Sequence, residues 1–229
     1  MTNRNRRQQH ALEQIRKICA AQGDTFRGNA VAERWLAQLD SSTDRAQAAS
    51  ADHAAQVAAE RNATVARTTA RGALRGALKA IAQTSPGVAI EAGDTARFTM
   101  PKGCSDVQLI DVAKDYAGRA SQFAAAFAAH KLPASVIAEL PAKIAALQRA
   151  MDDQSAARDA HKVARTVYVA ALKSGTEAMD GLEPIHMNAF GGDTKAIGDW
   201  TAARRVGPTR RAEVEAPAAA PAPSPTKVA

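Results

Sequence analysis

Residues 105–133, SDVQLIDVAKDYAGRASQFAAAFAAHKLP, contain the clearest structural signal in the chain. Ser105 with Gln108 three residues later forms a capping box, which predicts that a helix begins there. The connection 130–133, which ends in a proline, predicts a tight turn into a second helix. Between these points apolar residues recur in alternating steps of four and three, the spacing of a seam that packs against another helix. These residues are Leu109, Ala113, Tyr116, Ala120, Phe123 and Phe127.

The helix predicted after this turn shows a matching seam over residues 137–151, and the helix itself is predicted to continue to about Asp180. Pro141 predicts a kink or a restart near its beginning, because proline has no backbone donor. Gly181 and Pro184 predict its end. The seam residues are Ile137, Leu140, Ile144, Leu147 and Met151.

Three further helices are predicted on either side of this pair. A short one spans about residues 9–21, and a long one runs from the N-cap Asn29 to about residue 83, ahead of Pro86. Residues 24–28 are interpreted as a turn, and residues 85–104 as a connection with little helical character. A last short helix spans about residues 194–204, with Thr194 as its cap and Ile197 and Trp200 facing inward.

The composition favours a long bundle over a compact globule. Roughly a quarter of the residues are alanine and aromatics make up 4%, so the core is assembled from many close helix contacts. We therefore predict an all-α, elongated antiparallel helical bundle of about four main helices with short terminal helices. The predicted divisions are a basic N-terminal segment (1–28), the bundle (29–207) and a disordered Ala/Pro-rich tail (208–229).

Several classes of protein are disfavoured by the sequence. Cys19 and Cys104 belong to no CxxC motif, and the default for two such cysteines is reduced thiols in a cytoplasm. The residues after His10 are interrupted by charges, which argues against a secretory signal. The longest apolar run, 123–129, is about a third of a membrane span. We expect a cytoplasmic protein with no membrane span and no cofactor.

Polar interruptions occur in both long helices. Asp52 and His53 lie in the first, and Asp153 and His161 lie in the second. In an antiparallel pair these segments would meet, and two carboxylates with two imidazoles are ligands that helical bundles use for metals. The sequence lacks the Glu-x-x-His pair that puts two ligands on one helix face, so we predict that these residues hold no metal ion.

Gly72 and Gly76 form a GxxxG motif in the first long helix. Glycines four residues apart lie on one face and allow close approach of another backbone. Tight packing within the same chain is the favoured interpretation, and a dimer contact is the alternative.

Four basic residues form a stripe on one helix face, and they are the candidate contacts to nucleic acid. The chain carries a formal net charge of +7, which is compatible with nucleic acid or another acidic partner. A solvated face is the default interpretation of the stripe. Its members are Arg67, Arg71, Arg75 and Lys79.

A series of landmarks runs through the second half of the chain. They are Phe98, Pro101, Ser105-Asp106, Leu109, Phe127, the turn 130–133, Leu140, the polar segment 153–161, Leu182 and the closing Trp200, Ala203, Arg204 and Val206. At these landmarks the stretch 98–206 resembles a family of uncharacterised bacterial helical proteins. At the position of Pro141 the family's pattern has arginine. The resemblance implies a helical-bundle fold and brings no known activity.

A non-enzymatic scaffold or interaction protein is the favoured functional class, with a protein partner that is either another chain or a second copy in a homodimer. A nucleic-acid or nucleoid-associated protein is the first alternative, and a phasin-like surface-coating protein is the second. An enzyme is disfavoured because no loop carries convergent titratable groups.

Overall fold

The computed structural model describes residues 2–205, and every regular element in that range is helical. The all-α prediction is therefore confirmed. The predicted tail, 208–229, lies outside the described residues. No helix between residues 2 and 205 is both long and apolar enough to span a bilayer. The elements are α1 (Asn3–Ala21), α2 (Gly23–Phe26), α3 (Ala30–Ala92), a 3₁₀ helix (Asp94–Ala96), α4 (Asp106–Gln122), α5 (Ala124–Ala129), α6 (Ala134–Ala138), α7 (Leu140–Ala189) and α8 (Thr194–Arg204).

The chain divides into two compact units. Of the described residues, 2–48 and 168–205 form the terminal unit and 49–167 form the central unit. The two long helices, α3 and α7, each contribute a segment to both units, and within each unit these segments run antiparallel. The predicted boundary at residue 28 stays a prediction.

The core of the central unit forms where α3, α4, α5 and α7 bring their large apolar residues together. Its fully buried side chains include Leu74 and Leu78 of α3, Leu109 of α4, Phe127 of α5 and Leu147 of α7. The seams predicted in residues 109–127 and 137–151 therefore face inward. Phe123 and Met151 are the exceptions, since both are only half-buried. Phe123 lies at the C-cap of α4, which ends at Gln122.

The core of the terminal unit includes side chains from α1, α3, α7 and α8. Leu12 and Ile15 of α1, Leu39 of α3, Leu182 of α7 and Trp200 of α8 are buried. On α8, Ile197 is half-buried, so the predicted inward face is confirmed at Trp200 and only partly at Ile197.

The long helix α3 does not end before Pro86, as predicted, but continues to Ala92. Pro86 cannot donate to the carbonyl of Ala82, four residues back. The buried hydroxyl of Ser85 donates to that oxygen instead, at 2.9 Å. The Phe98 amide then donates to the Ser85 hydroxyl oxygen at 3.1 Å. Ser85 thus satisfies the carbonyl that the proline leaves free, and the expected irregular connection starts later.

The end predicted for α7 at Asp180 is also wrong, because the helix continues to Ala189. Leu182 and His186 extend the buried seam beyond that point and are completely buried. Gly181 lies in close contact with the indole of Trp35, where a Cβ would have no room. Gly181 is therefore a packing glycine in the helix interior and not a terminator.

Other boundaries are confirmed or shifted by a few residues. Asn29 caps α3, since its Oδ1 accepts from the amides of Val31 and Ala32, and the Ser105 capping box is present. The chain restarts as α7 at Leu140, with Pro141 in the first turn, as predicted.

Three further local predictions are wrong, and local hydrogen bonding accounts for two of them. Helix α1 begins at Asn3, ahead of the predicted residue 9, because Thr2 caps it by accepting from the Asn5 amide. The predicted turn at 24–28 contains the single helical turn α2. The cap of α8 is Asp193, whose carboxylate accepts from two amides, and not Thr194.

Candidate functional site

The middle section of the two long helices, defined as residues 50–70 of α3 and 151–167 of α7, has a polar seam. His53 is the one buried residue in the α3 part, and Gln154 and Ala164 are the buried residues in the α7 part. The side chains between the helices are thus imidazole, amide and methyl groups, whereas the rest of the central unit has leucines at its core. Such a seam contributes little hydrophobic stabilisation and makes polar contacts the main determinant of register.

A chain of three polar side chains joins the helices within this section. His161 Nδ1 lies 2.7 Å from Glu60 Oε2, and His161 Nε2 lies 3.3 Å from His53 Nε2. The imidazole rings meet edge to face, with centroids 4.9 Å apart. Arg158 Nε approaches the other carboxylate oxygen of Glu60 at 3.6 Å.

The carboxylate of Glu60 determines which nitrogen of His161 carries the proton. In a neutral imidazole next to a carboxylate the hydrogen sits on the nitrogen that faces the acid, so the neutral form of His161 has its N–H at Nδ1 and a lone pair at Nε2. His53 is buried, and burial lowers its pKa, with the neighbouring His161 acting in the same direction. The neutral form of His53 is therefore favoured.

The two histidines of the predicted candidate metal set are brought together, and the two aspartates are not. Asp52 is exposed and accepts from Gln56 on its own helix. Asp153 is exposed as well. No group of three or more His, Cys, Asp and Glu side chains in residues 2–205 is arranged to hold a metal ion. Glu60 was absent from the predicted set, although a carboxylate one helical heptad from His53 was a usable signal.

A second interhelical network surrounds Asp106, at the start of α4. Its carboxylate is buried and accepts from Arg67 Nε at 2.6 Å, and Arg71 Nε lies 3.2 Å from its other oxygen. Arg67 also donates to the buried amide of Gln154 at 2.6 Å, and Gln154 donates to Thr64 at 2.8 Å. This network ties α3, α4 and α7 together.

The predicted basic stripe therefore divides into two halves. Arg67 and Arg71 are about a third exposed and are engaged by Asp106, with Arg71 donating also to the Cys104 carbonyl. Arg75 and Lys79 are exposed and form no ion pair with another described residue. They border an open groove of about 510 Å³ whose other lining includes Phe98 and Met100.

Two buried groups in the terminal unit have unusual surroundings. His186 stacks on Trp200 with ring centroids 4.3 Å apart, and neither of its nitrogens has a hydrogen-bond partner among the described residues. Burial lowers the pKa of His186. Burial also raises the pKa of Cys19 to about 12, so this thiol stays protonated and unreactive at neutral pH.

The GxxxG glycines are exposed, in contrast to the prediction of tight packing. A Cβ built on Gly72 or Gly76 meets no atom within 4 Å. Glycines in close contact among the described residues instead include Gly87 with His130, Gly175 with Leu12 and Gly181 with Trp35.

Comparison with known proteins identifies no relative of this chain. The chain matches no protein-family model, no curated protein and no solved structure, so any function has to be argued from its own residues.

Proposed function

We propose that the chain is a non-enzymatic helical scaffold that self-associates through the middle section of α3 and α7. The observation that carries this proposal is the exposure of valines there. Val65, Val163 and Val167 are each more than half exposed, on helices whose remaining surface is rich in alanine. Apolar side chains among small residues allow close helix–helix contact with a partner.

The charge of the middle section favours a second copy of the chain as the partner. The section contains five acidic residues (52, 60, 152, 153 and 159) and five basic ones (61, 67, 158, 162 and 165). Its net charge is therefore zero, although the whole chain carries +7. Two copies can approach through this section without net repulsion, and charges of mixed sign can pair across the interface.

Light scattering coupled to gel filtration, over a range of protein concentrations, tests this proposal. We expect a concentration-dependent dimer that the double variant V163K/V167K weakens by about tenfold or more. Val107 of α4 is similarly exposed and lies outside the section, so V107K is the matched control and should dimerise normally. A monomer at every concentration, or equal loss in both variants, would contradict the proposal.

Nucleic-acid binding is the second candidate, favoured by Arg75 and Lys79. These two side chains are exposed, lie one helical turn apart and have no carboxylate partner among the described residues. If they contact phosphates, the slope of log affinity against log salt for duplex DNA should fall by about 0.9 for each charge removed. R75Q and K79Q are the test variants, and R61Q, on an exposed part of the same helix, is the control. Salt-independent binding, or unchanged slopes, would exclude this function.

A further inference from the structure

We propose that His53 and His161 bind one zinc-like divalent ion through their Nε2 atoms, linking α3 to α7. This proposal does not depend on the proposed self-association, although both concern the middle section of α3 and α7. The sequence argued against a metal because it lacks the Glu-x-x-His pair that puts two ligands on one helix face. In the structure the two imidazoles come from facing helices, with His53 on α3 and His161 on α7, so two ligands meet without such a pair.

The separation of the two nitrogens fits a tetrahedral ion. With Zn–N bonds of 2.0–2.1 Å, two ligands of a tetrahedral site lie about 3.3–3.4 Å apart. The two Nε2 atoms are 3.3 Å apart. They therefore need no movement of either helix to reach the ligand positions of one ion.

The ring positions favour convergence on a shared point over a straight hydrogen bond. Imidazoles joined by a linear N–H···N bond of this length place their centroids about 5.5 Å apart. Imidazoles that converge on one tetrahedral ion place them about 5.1 Å apart. The centroids of His53 and His161 are 4.9 Å apart, closer to the value for two rings that converge on one ion than to the value for a straight hydrogen bond.

Glu60 supplies the outer partner that a ligating histidine requires. Histidine ligands usually donate their other ring N–H to a carboxylate, which orients the ring and increases its basicity. Glu60 Oε2 takes this position 2.7 Å from His161 Nδ1.

The surrounding charges permit a cation at this point, and solvent can reach it. Glu60 and Asp52 contribute two negative charges, and Arg158 and Arg165 contribute two positive ones, all of them close to the pair. The His161 side chain is 29% exposed, which gives an ion access and leaves water as the source of the remaining ligands. An ion held by only two protein ligands exchanges readily with solvent. We therefore expect it to be lost during purification, and the test adds the ion back to the purified chain.

Titration of the chelator-treated full chain with Co²⁺ tests the site. We expect the visible absorption band of tetrahedral Co²⁺ to saturate at one equivalent and to disappear when Zn²⁺ is added. H53Q and H161Q should abolish the band. E60Q should weaken Co²⁺ binding by about tenfold or more, the usual effect of removing an outer-shell partner.

His130 provides the matched control. It also lies near a carboxylate, with Nε2 3.3 Å from Glu91, and is not paired with a second histidine in the central unit. H130Q should bind Co²⁺ as the unmodified chain does. As a check on folding, Zn²⁺ should raise the melting temperature of the unmodified chain and of H130Q, and leave H53Q and H161Q unchanged. Absence of the tetrahedral band, or a band that persists in H53Q and H161Q, would overturn the proposal and leave the histidines sharing a proton.

Discussion

Replacing glycine by alanine should stabilise the protein at Gly72 and Gly76 and destabilise it at Gly181, although all three glycines lie inside long helices. Gly72 and Gly76 lie in the interior of α3, and a Cβ at either position meets no atom within 4 Å. Gly181 lies in the interior of α7, where a Cβ would be 2.6 Å from Trp35 Cδ2 and 2.7 Å from Trp35 Nε1. Real Cβ atoms do not approach other heavy atoms this closely, so the indole has to move.

The magnitudes follow from these surroundings. At Gly72 and Gly76 alanine removes only the conformational freedom of glycine in the unfolded chain, which is worth about 0.5–1 kcal/mol per position. The double variant G72A/G76A should therefore gain roughly 1–2 kcal/mol. At Gly181 the same gain is opposed by overpacking against a rigid ring, at about 1–3 kcal/mol. The expected net result for G181A is a loss.

Thermal and urea unfolding followed by circular dichroism measure both effects. For a chain of this size 1 kcal/mol corresponds to a shift in melting temperature of about 2–4 °C, so the two variants should move in opposite directions by a resolvable amount. The variant G181A/W35A, which removes the ring, distinguishes a steric effect from a backbone effect, because G181A should no longer be unfavourable in that background. A destabilised G72A/G76A would refute the reasoning and show that a partner backbone packs on that face, as the sequence motif alone suggested.

Three further predictions concern single side chains, each measured by urea unfolding. F127A should lower the free energy of unfolding by about 3–5 kcal/mol because its ring is completely buried. F123A should cost clearly less, since Phe123 is half-buried at the end of α4, and equal losses would contradict this. D106N should cost about 1.5–3 kcal/mol by removing the charge that Arg67 and Arg71 share, whereas D115N, whose carboxylate is half exposed, should change little. Burial lowers the pKa of His186 from 6.5, so the unfolded chain takes up a proton before the folded one, and stability should fall as pH drops from 6.5 towards the folded pKa. H186L should lose that part of the pH dependence, and an unchanged pH profile would show that His186 is not its source.

The parts of the fold that depend on local signals were predictable from the sequence. The capping box at Ser105, the restart at Pro141 and the seam from Leu109 to Ala120 follow from hydrogen-bonding chemistry and spacing within a few residues. Two helix ends were predicted too early because a nearby side chain accommodates the residue that would otherwise end the helix. Pro86 and Gly181 are helix terminators in isolation, but the Ser85 hydroxyl and the Trp35 indole give each of them a place inside a helix.

The candidate site was predictable only in part, for a related reason. Residue spacing places His53 and Glu60 seven apart on one face of α3, but the position of His161 relative to them depends on the register of two long helices. In a seam of alanine and polar side chains, methyl packing alone discriminates weakly between registers, because one alanine is equivalent to the next. The Asp106 network and the Glu60–His161–His53 chain are directional, so a shift of α7 along α3 by one heptad would leave buried polar groups without partners. We infer that these two clusters determine the register of the middle section. The polar residues that made this section a candidate functional site are therefore also the residues that select one helix register over the others.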